Sequence, residues 1–213
     1  MKSFISNFLT HICQLFSPRY LWVHGVAIVG TYIIVMSGFD WWYFVTFHNN
    51  FLYIYLRPAL FLGMLVPAFL PLGMLIIGAI QKKDVLVRSG FVLLEASILG
   101  WWLSALYKTF TGRIQPPYSL LVDASHQFNF GFMEHGVFWG WPSSHTTVAF
   151  ATMTALCFLL LKRYKWLGVI GLLYALYVGI AVSIQIHWFS EFFAGVFFGS
   201  LVGYVVSRNH VVE

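Results

Sequence analysis

The sequence predicts an all-α integral membrane protein built as a bundle of six transmembrane helices, and three observations predict it. Hydrophobic residues fill 60% of the 213 positions and charged residues only 9%, too little polar surface to cover a soluble domain of this size. The apolar residues gather in six runs, at 20–39, 58–80, 89–107, 146–161, 166–184 and 188–206. Most of these approach the roughly 20 residues a helix needs to cross about 30 Å of hydrocarbon. The alternating segments of about ten residues that would signal a membrane β-barrel are absent.

Residues 1–18 precede the first run. Phe4, Ile5, Phe8, Leu9, Ile12, Leu15 and Phe16 recur at helical spacing, while Asn7, His11 and Gln14 interrupt the apolar character a signal peptide would need. The segment is expected to be an amphipathic helix at the membrane interface, followed by one transmembrane domain over 19–208. Pro67 and Pro71 should kink the second run, which bundles tolerate. The fourth run is short unless its helix begins at Ser143. In the sixth, Gly195, Gly199 and Gly203 are spaced by four, as close helix packing requires. Between the first and second runs, residues 40–57 are rich in aromatics, with His48, Asn49 and Asn50 at the middle, and read as an interface belt with a short flat helix. Residues 108–142 carry several glycines and prolines and read as a long loop.

Charge orients the bundle. Lys2, Arg19, Lys82, Lys83, Arg88, Lys162, Arg163, Lys165 and Arg208 all fall on one side if there are six spans, leaving Arg57, Lys108 and Arg113 on the other. The positive side is cytoplasmic. Both termini should then be inside, in a bacterial inner membrane, with the 108–142 loop outside. The net charge of +5 therefore reports topology and makes no case for nucleic acid. Cys13 and Cys157 show no ligand spacing and are expected to be free thiols, and no metal site is expected. The oligomeric state is not legible.

Polar groups at the edge of hydrocarbon are costly and usually functional. Pro142-Ser143-Ser144-His145 opens the fourth helix, and His187-Trp188-Phe189-Ser190-Glu191 opens the sixth. Both histidines should lie at the outer face, near Lys108 and Arg113. His187 and Glu191 are four apart and so share a helix face, where the carboxylate can accept from one imidazole nitrogen and free the other as nucleophile or base. Ser143 or Ser144 can cap the helix, whose free N–H groups favour an anion. Lys108 and Arg113 can hold phosphate oxygens. Taken singly, each piece has an ordinary reading as a cap, a solvated pair or a snorkelling cation. Glu95, deep in the third span, is expected to be protonated or to pair with His24.

In order, the segment from Lys108 to Pro116, then Pro142–His145, then His187–Glu191 resemble the three signatures of the type 2 phosphatidic acid phosphatases, relatives of the vanadium haloperoxidases and bacterial acid phosphatases. The resemblance covers about residues 89–206, and the six-span membrane branch of that superfamily suits the whole chain. It implies lipid phosphatase activity on a phosphomonoester or pyrophosphate at the outer face, without a cofactor. His187 corresponds to the nucleophile that becomes a phosphohistidine. His145 corresponds to the general acid and base, Glu191 to the orienting aspartate, and Lys108 and Ser143 to phosphate ligands.

The signatures also depart from the pattern. Gln115 stands where the first ends in arginine, Ala181 where the third has an arginine six residues before its histidine, and Ser144 where the second has glycine. One preorganised transition-state donor is worth about 3–4 kcal/mol, so two missing arginines would cost on the order of 10⁴–10⁶ in rate if additive. Arg113, Arg57, His126 or His135 are the candidate compensating groups. The expected partners are a phosphorylated lipid and the bilayer. The alternatives are a lipid-to-lipid phosphotransferase using the same groups, or an inactive relative that binds a phospholipid headgroup. A transporter would need polar residues across several spans, whereas these gather at one face.

Overall fold

The structure, a computed structural model, describes residues 2–48, 52–117, 122–134, 136–160, 164–208 and 210. Asn49, Asn50, His135, Lys162 and Arg163, named above, lie outside them. Among the described residues the regular elements are helices, with a loop between the sixth and seventh: α1 (Lys2–Leu15), α2 (Leu21–Met36), α3 (Phe39–Phe47), α4 (Leu52–Leu56), α5 (Pro58–Ile80), α6 (Asp84–Thr111), α7 (Ser144–Leu160), α8 (Lys165–Gln185) and α9 (Phe189–Ser207). All six apolar runs are helical, so the all-α membrane class holds.

By length and apolarity alone, four or five stretches qualify as spans among the described residues. Four stretches are long and apolar enough to cross a membrane, at 54–80 and in α6, α8 and α9. A fifth exists if α2 and α3, bent by 71° at their junction, form one broken span. The bend falls at Gly38, whose φ of 72° is left-handed backbone that a side chain would strain. The short helix α7, with 17 residues, is surrounded by α5, α6, α8 and α9. Covered by protein, it needs no full lipid-facing length.

Close approach in the centre comes from small residues. A Cβ on Gly199 would stand 2.4 Å from the Thr147 carbonyl oxygen, and one on Gly203 2.5 Å from that of Ala151, so α9 lies directly on the α7 backbone. The helix α5 continues through Pro67 and Pro71 and is tied to α6 beside them. Pro71 has no N–H for the Pro67 carbonyl, and the Ser97 hydroxyl of α6 sits 3.0 Å from that oxygen.

The first helix docks on the bundle. Leu15 is fully buried, and Phe8 and Ile12 pack on the core around Val92, Ala96 and Val202. His11 Nδ1 lies 2.6 Å from Glu95 Oε1. This corrects the expected Glu95–His24 pair. His24 is spent elsewhere, on the Tyr107 hydroxyl at 2.6 Å and the Leu15 carbonyl at 3.0 Å. Cys13 and Cys157 are free.

Candidate active site

Three helix termini and one loop converge at one end of the bundle. Lys108 lies in the last turn of α6, where the free carbonyls of the helix end favour a cation. Its Nζ donates to the Phe138 carbonyl at 3.0 Å, and the side chain is buried. Gly112, at φ 34° and ψ 48°, ends α6 in the left-handed conformation and turns the chain back toward the bundle. Arg113 and Gln115 follow that turn.

His187 occupies the short connection between α8 and α9. Its Nδ1 lies 2.5 Å from Glu191 Oε2 in the first turn of α9. An ionised carboxylate can only accept, so Nδ1 carries the proton and Nε2 keeps its lone pair. Burial lowers the His187 pKa below its usual value; Glu191 acts in the opposite direction, and the charges of Lys108 and Arg113 add to the lowering. His145, in the first turn of α7, has its ring centroid 5.9 Å from that of His187. The two imidazoles thus face a common space.

Behind Glu191 and Arg113 lies a group absent from the sequence reading. Asp40, fully buried in the first turn of α3, receives Arg113 Nη2 at 2.7 Å, the Ser190 hydroxyl at 2.6 Å and the Ser190 N–H at 2.8 Å. The last bond satisfies an otherwise free donor in the first turn of α9. Arg113 also donates to the Ser190 hydroxyl and the Ser125 carbonyl, both at 2.6 Å, and its Nη1 lies 3.8 Å from Glu191 Oε1. Its guanidinium covers the Phe128 ring with the carbon 4.6 Å from the centroid. Arg113 thus stands at Glu191 Oε1 while His187 takes Oε2, and its own Nε is buried without a partner. Gln115 Nε2 completes the carboxylate's surroundings at 3.5 Å from both oxygens. An acid within an aromatic belt was the available signal for Asp40, because a charge there requires a partner.

A cavity of about 610 Å³ opens from this cluster. Lys108, Gln115, Ser144, His145 and His187 form its polar end. Apolar residues of α5, α6 and α7 form the remainder, among them Pro67, Leu72, Leu94, Ile98 and Val148. Ser144 also shares a 2.9 Å hydrogen bond with Ser104. Ser143 caps α7: its buried oxygen lies 3.5 Å from the Thr146 N–H and 3.2 Å from the Thr146 hydroxyl. It is not part of the cavity wall, and neither are Arg57, which is exposed, and His126, which borders a separate cavity beside Thr31 and Thr111. The structure therefore brings Lys108, Gln115, Ser144, His145, His187 and Glu191 together and leaves Arg57 and His126 apart. Among the described residues, no cluster of His, Cys, Asp or Glu suits a metal ion.

A model of the PAP2 superfamily matches residues 89–212, more than half of the chain and all of its three signature segments. The chain belongs to the PAP2 superfamily. Members of the PAP2 superfamily are phosphatases, which assigns the chain to phosphate-ester chemistry, and its apolar helices make it a membrane member. No curated protein and no solved structure gives a match.

Proposed function

We propose that this protein is a membrane lipid phosphatase that attacks the phosphorus of a lipid headgroup through a phosphohistidine on His187. The observation that carries the reading is the His187–Glu191 pair facing His145 at the polar end of a long apolar cavity. Glu191 fixes the imidazole tautomer, and Nε2 attacks phosphorus. His145 gives a proton to the departing oxygen and then removes one from water as the N–P bond breaks. Lys108 holds a phosphate oxygen, and Ser144 lies within the same polar end. Arg113, turned toward Asp40 and Glu191, acts by holding the carboxylate that holds His187.

The cavity supports a lipid substrate. From Lys108 to Leu94 it follows α6 for about 21 Å at 1.5 Å per residue, a reach suited to an acyl chain. Beside Lys108 in its wall, Phe138 and Trp139 are 71% and 60% exposed, aromatic surface of the kind found at membrane interfaces. The positive-inside distribution of the sequence supports an outward-facing site, periplasmic in a bacterial inner membrane. A lipid hydroxyl in place of water would make the same intermediate a phosphotransferase.

Turnover tests the proposal. Purified protein in detergent is offered phosphatidate, a lipid pyrophosphate and phospholipid diesters, with release of phosphate or headgroup as readout. His187→Ala and His145→Ala are each expected to lower turnover by roughly 10³-fold or more. Unchanged turnover in both variants would reject the assigned roles.

A further inference from the structure

We infer that the cavity is selective for a singly charged phosphodiester whose headgroup carries a hydrogen-bond donor, over the doubly charged phosphate of a monoester. The inference rests on the phosphohistidine reading and names the ester that His187 attacks.

The first argument is charge. A terminal phosphate spreads two negative charges over three oxygens, and sites that process it gather several cations around them. Among the described residues, Lys108 is the cation in the cavity wall. Arg113 lies outside the cavity wall, with its terminal nitrogens on Asp40, Ser190 and the Ser125 carbonyl. Ala181 is a fully buried methyl. With His187 neutral as nucleophile and His145 protonated as the acid, Lys108, Arg113 and His145 exceed Asp40 and Glu191 by one positive charge, which matches one negative charge on phosphorus and not two. The cost of moving an ion into a poorly solvated site rises with the square of its charge, so a dianion is penalised about four times as heavily as a monoanion.

The second argument is an orphaned acceptor. Gln115 Nε2 faces both oxygens of Glu191, which require a donor, and this fixes the amide's orientation. Its Oε1 is then left buried without a partner in a residue that lines the cavity. A lone carbonyl oxygen repels a phosphate dianion. It suits a hydroxyl or ammonium on the alcohol arm of a diester.

The reaction balances on the groups present. His187 Nε2 forms a bond to phosphorus as one P–O ester bond breaks, and His145 protonates the departing alcohol. The other ester arm stays on phosphorus. Water or an alcohol then loses a proton to His145 as its oxygen bonds to phosphorus and the N–P bond breaks.

The test compares phosphatidylglycerol, phosphatidylethanolamine, phosphatidylcholine and phosphatidate, matched in acyl chains. Wild-type kcat/KM should be at least tenfold higher for the glycerol or ethanolamine lipid than for phosphatidate. It should also exceed that for phosphatidylcholine, whose headgroup has no donor. Gln115→Arg should narrow or reverse the preference over phosphatidate. In parallel, native mass spectrometry of His187→Ala protein reads lipid retention without chemistry. Turnover or retention of phosphatidate equal to or above the diesters would overturn the inference. Diester retention with no turnover by the wild type would uphold it and remove the phosphohistidine step instead.

Discussion

At the scale of single residues, His187 stands between opposing influences. Burial lowers its pKa from the usual value of about 6.5, while Glu191 raises it. The nucleophile is the neutral form of His187, so activity should fall as pH drops through its lowered pKa, while the protonated form of His145, needed as the acid, sets a separate alkaline limb. The acid limb of the pH–rate profile is expected below 6.5. Glu191→Gln removes the stabilising charge, so that limb should move to still lower pH while kcat falls; a limb moving upward would contradict the assignment. Asp40 makes a second claim. Removing it strands the buried Arg113 charge, and breaking one partner of such a pair costs about 3–5 kcal/mol. Asp40→Ala should lower stability by that amount in denaturant titrations in detergent, and pairing it with Arg113→Met should recover most of the loss. His145, His187, Glu191 and Lys108 were legible because each sits inside a short motif with fixed local spacing. Asp40 was not, because its partner Ser190 is 150 positions away and no local pattern encodes that contact.

Among the elements, close packing of α9 was readable from Gly195, Gly199 and Gly203, since a four-residue spacing places all three on one helix face; that α7 is the partner was not. Gly199→Ala puts its Cβ into backbone rather than into a movable side chain, so it should destabilise by about 1–3 kcal/mol. Gly25 has nothing within 4 Å of the corresponding position, and Gly25→Ala should be neutral or stabilising. Thermal unfolding of the two variants compares them directly, and equal losses would contradict the packing. The break between α2 and α3 falls at the end of the run 20–39, beside the short helix expected within 40–57; the left-handed Gly38 that makes the turn was not legible. The shortness of α7 was visible. That neighbouring protein would compensate for it was not, since lateral order in a bundle leaves little trace in hydropathy.

For the whole molecule, composition alone was enough to give the membrane class, and the juxtamembrane cations argue for its orientation. What composition left open was where each charge is used. Arg113 looked like a phosphate ligand beside Lys108, yet tertiary contacts with α3 and α9 engage it beside Glu191. Those contacts make the polar end of the cavity a place where one cation, two imidazoles and one amide meet an apolar groove, and that combination underlies both the proposed chemistry and its substrate. The most direct measurement is peptide mass spectrometry on wild-type protein quenched during turnover in phospholipid vesicles. A phosphorus-containing adduct on the peptide bearing His187, absent from His187→Ala, is the predicted result. Turnover that persists in His187→Ala, or an adduct confined to another residue, would contradict the account.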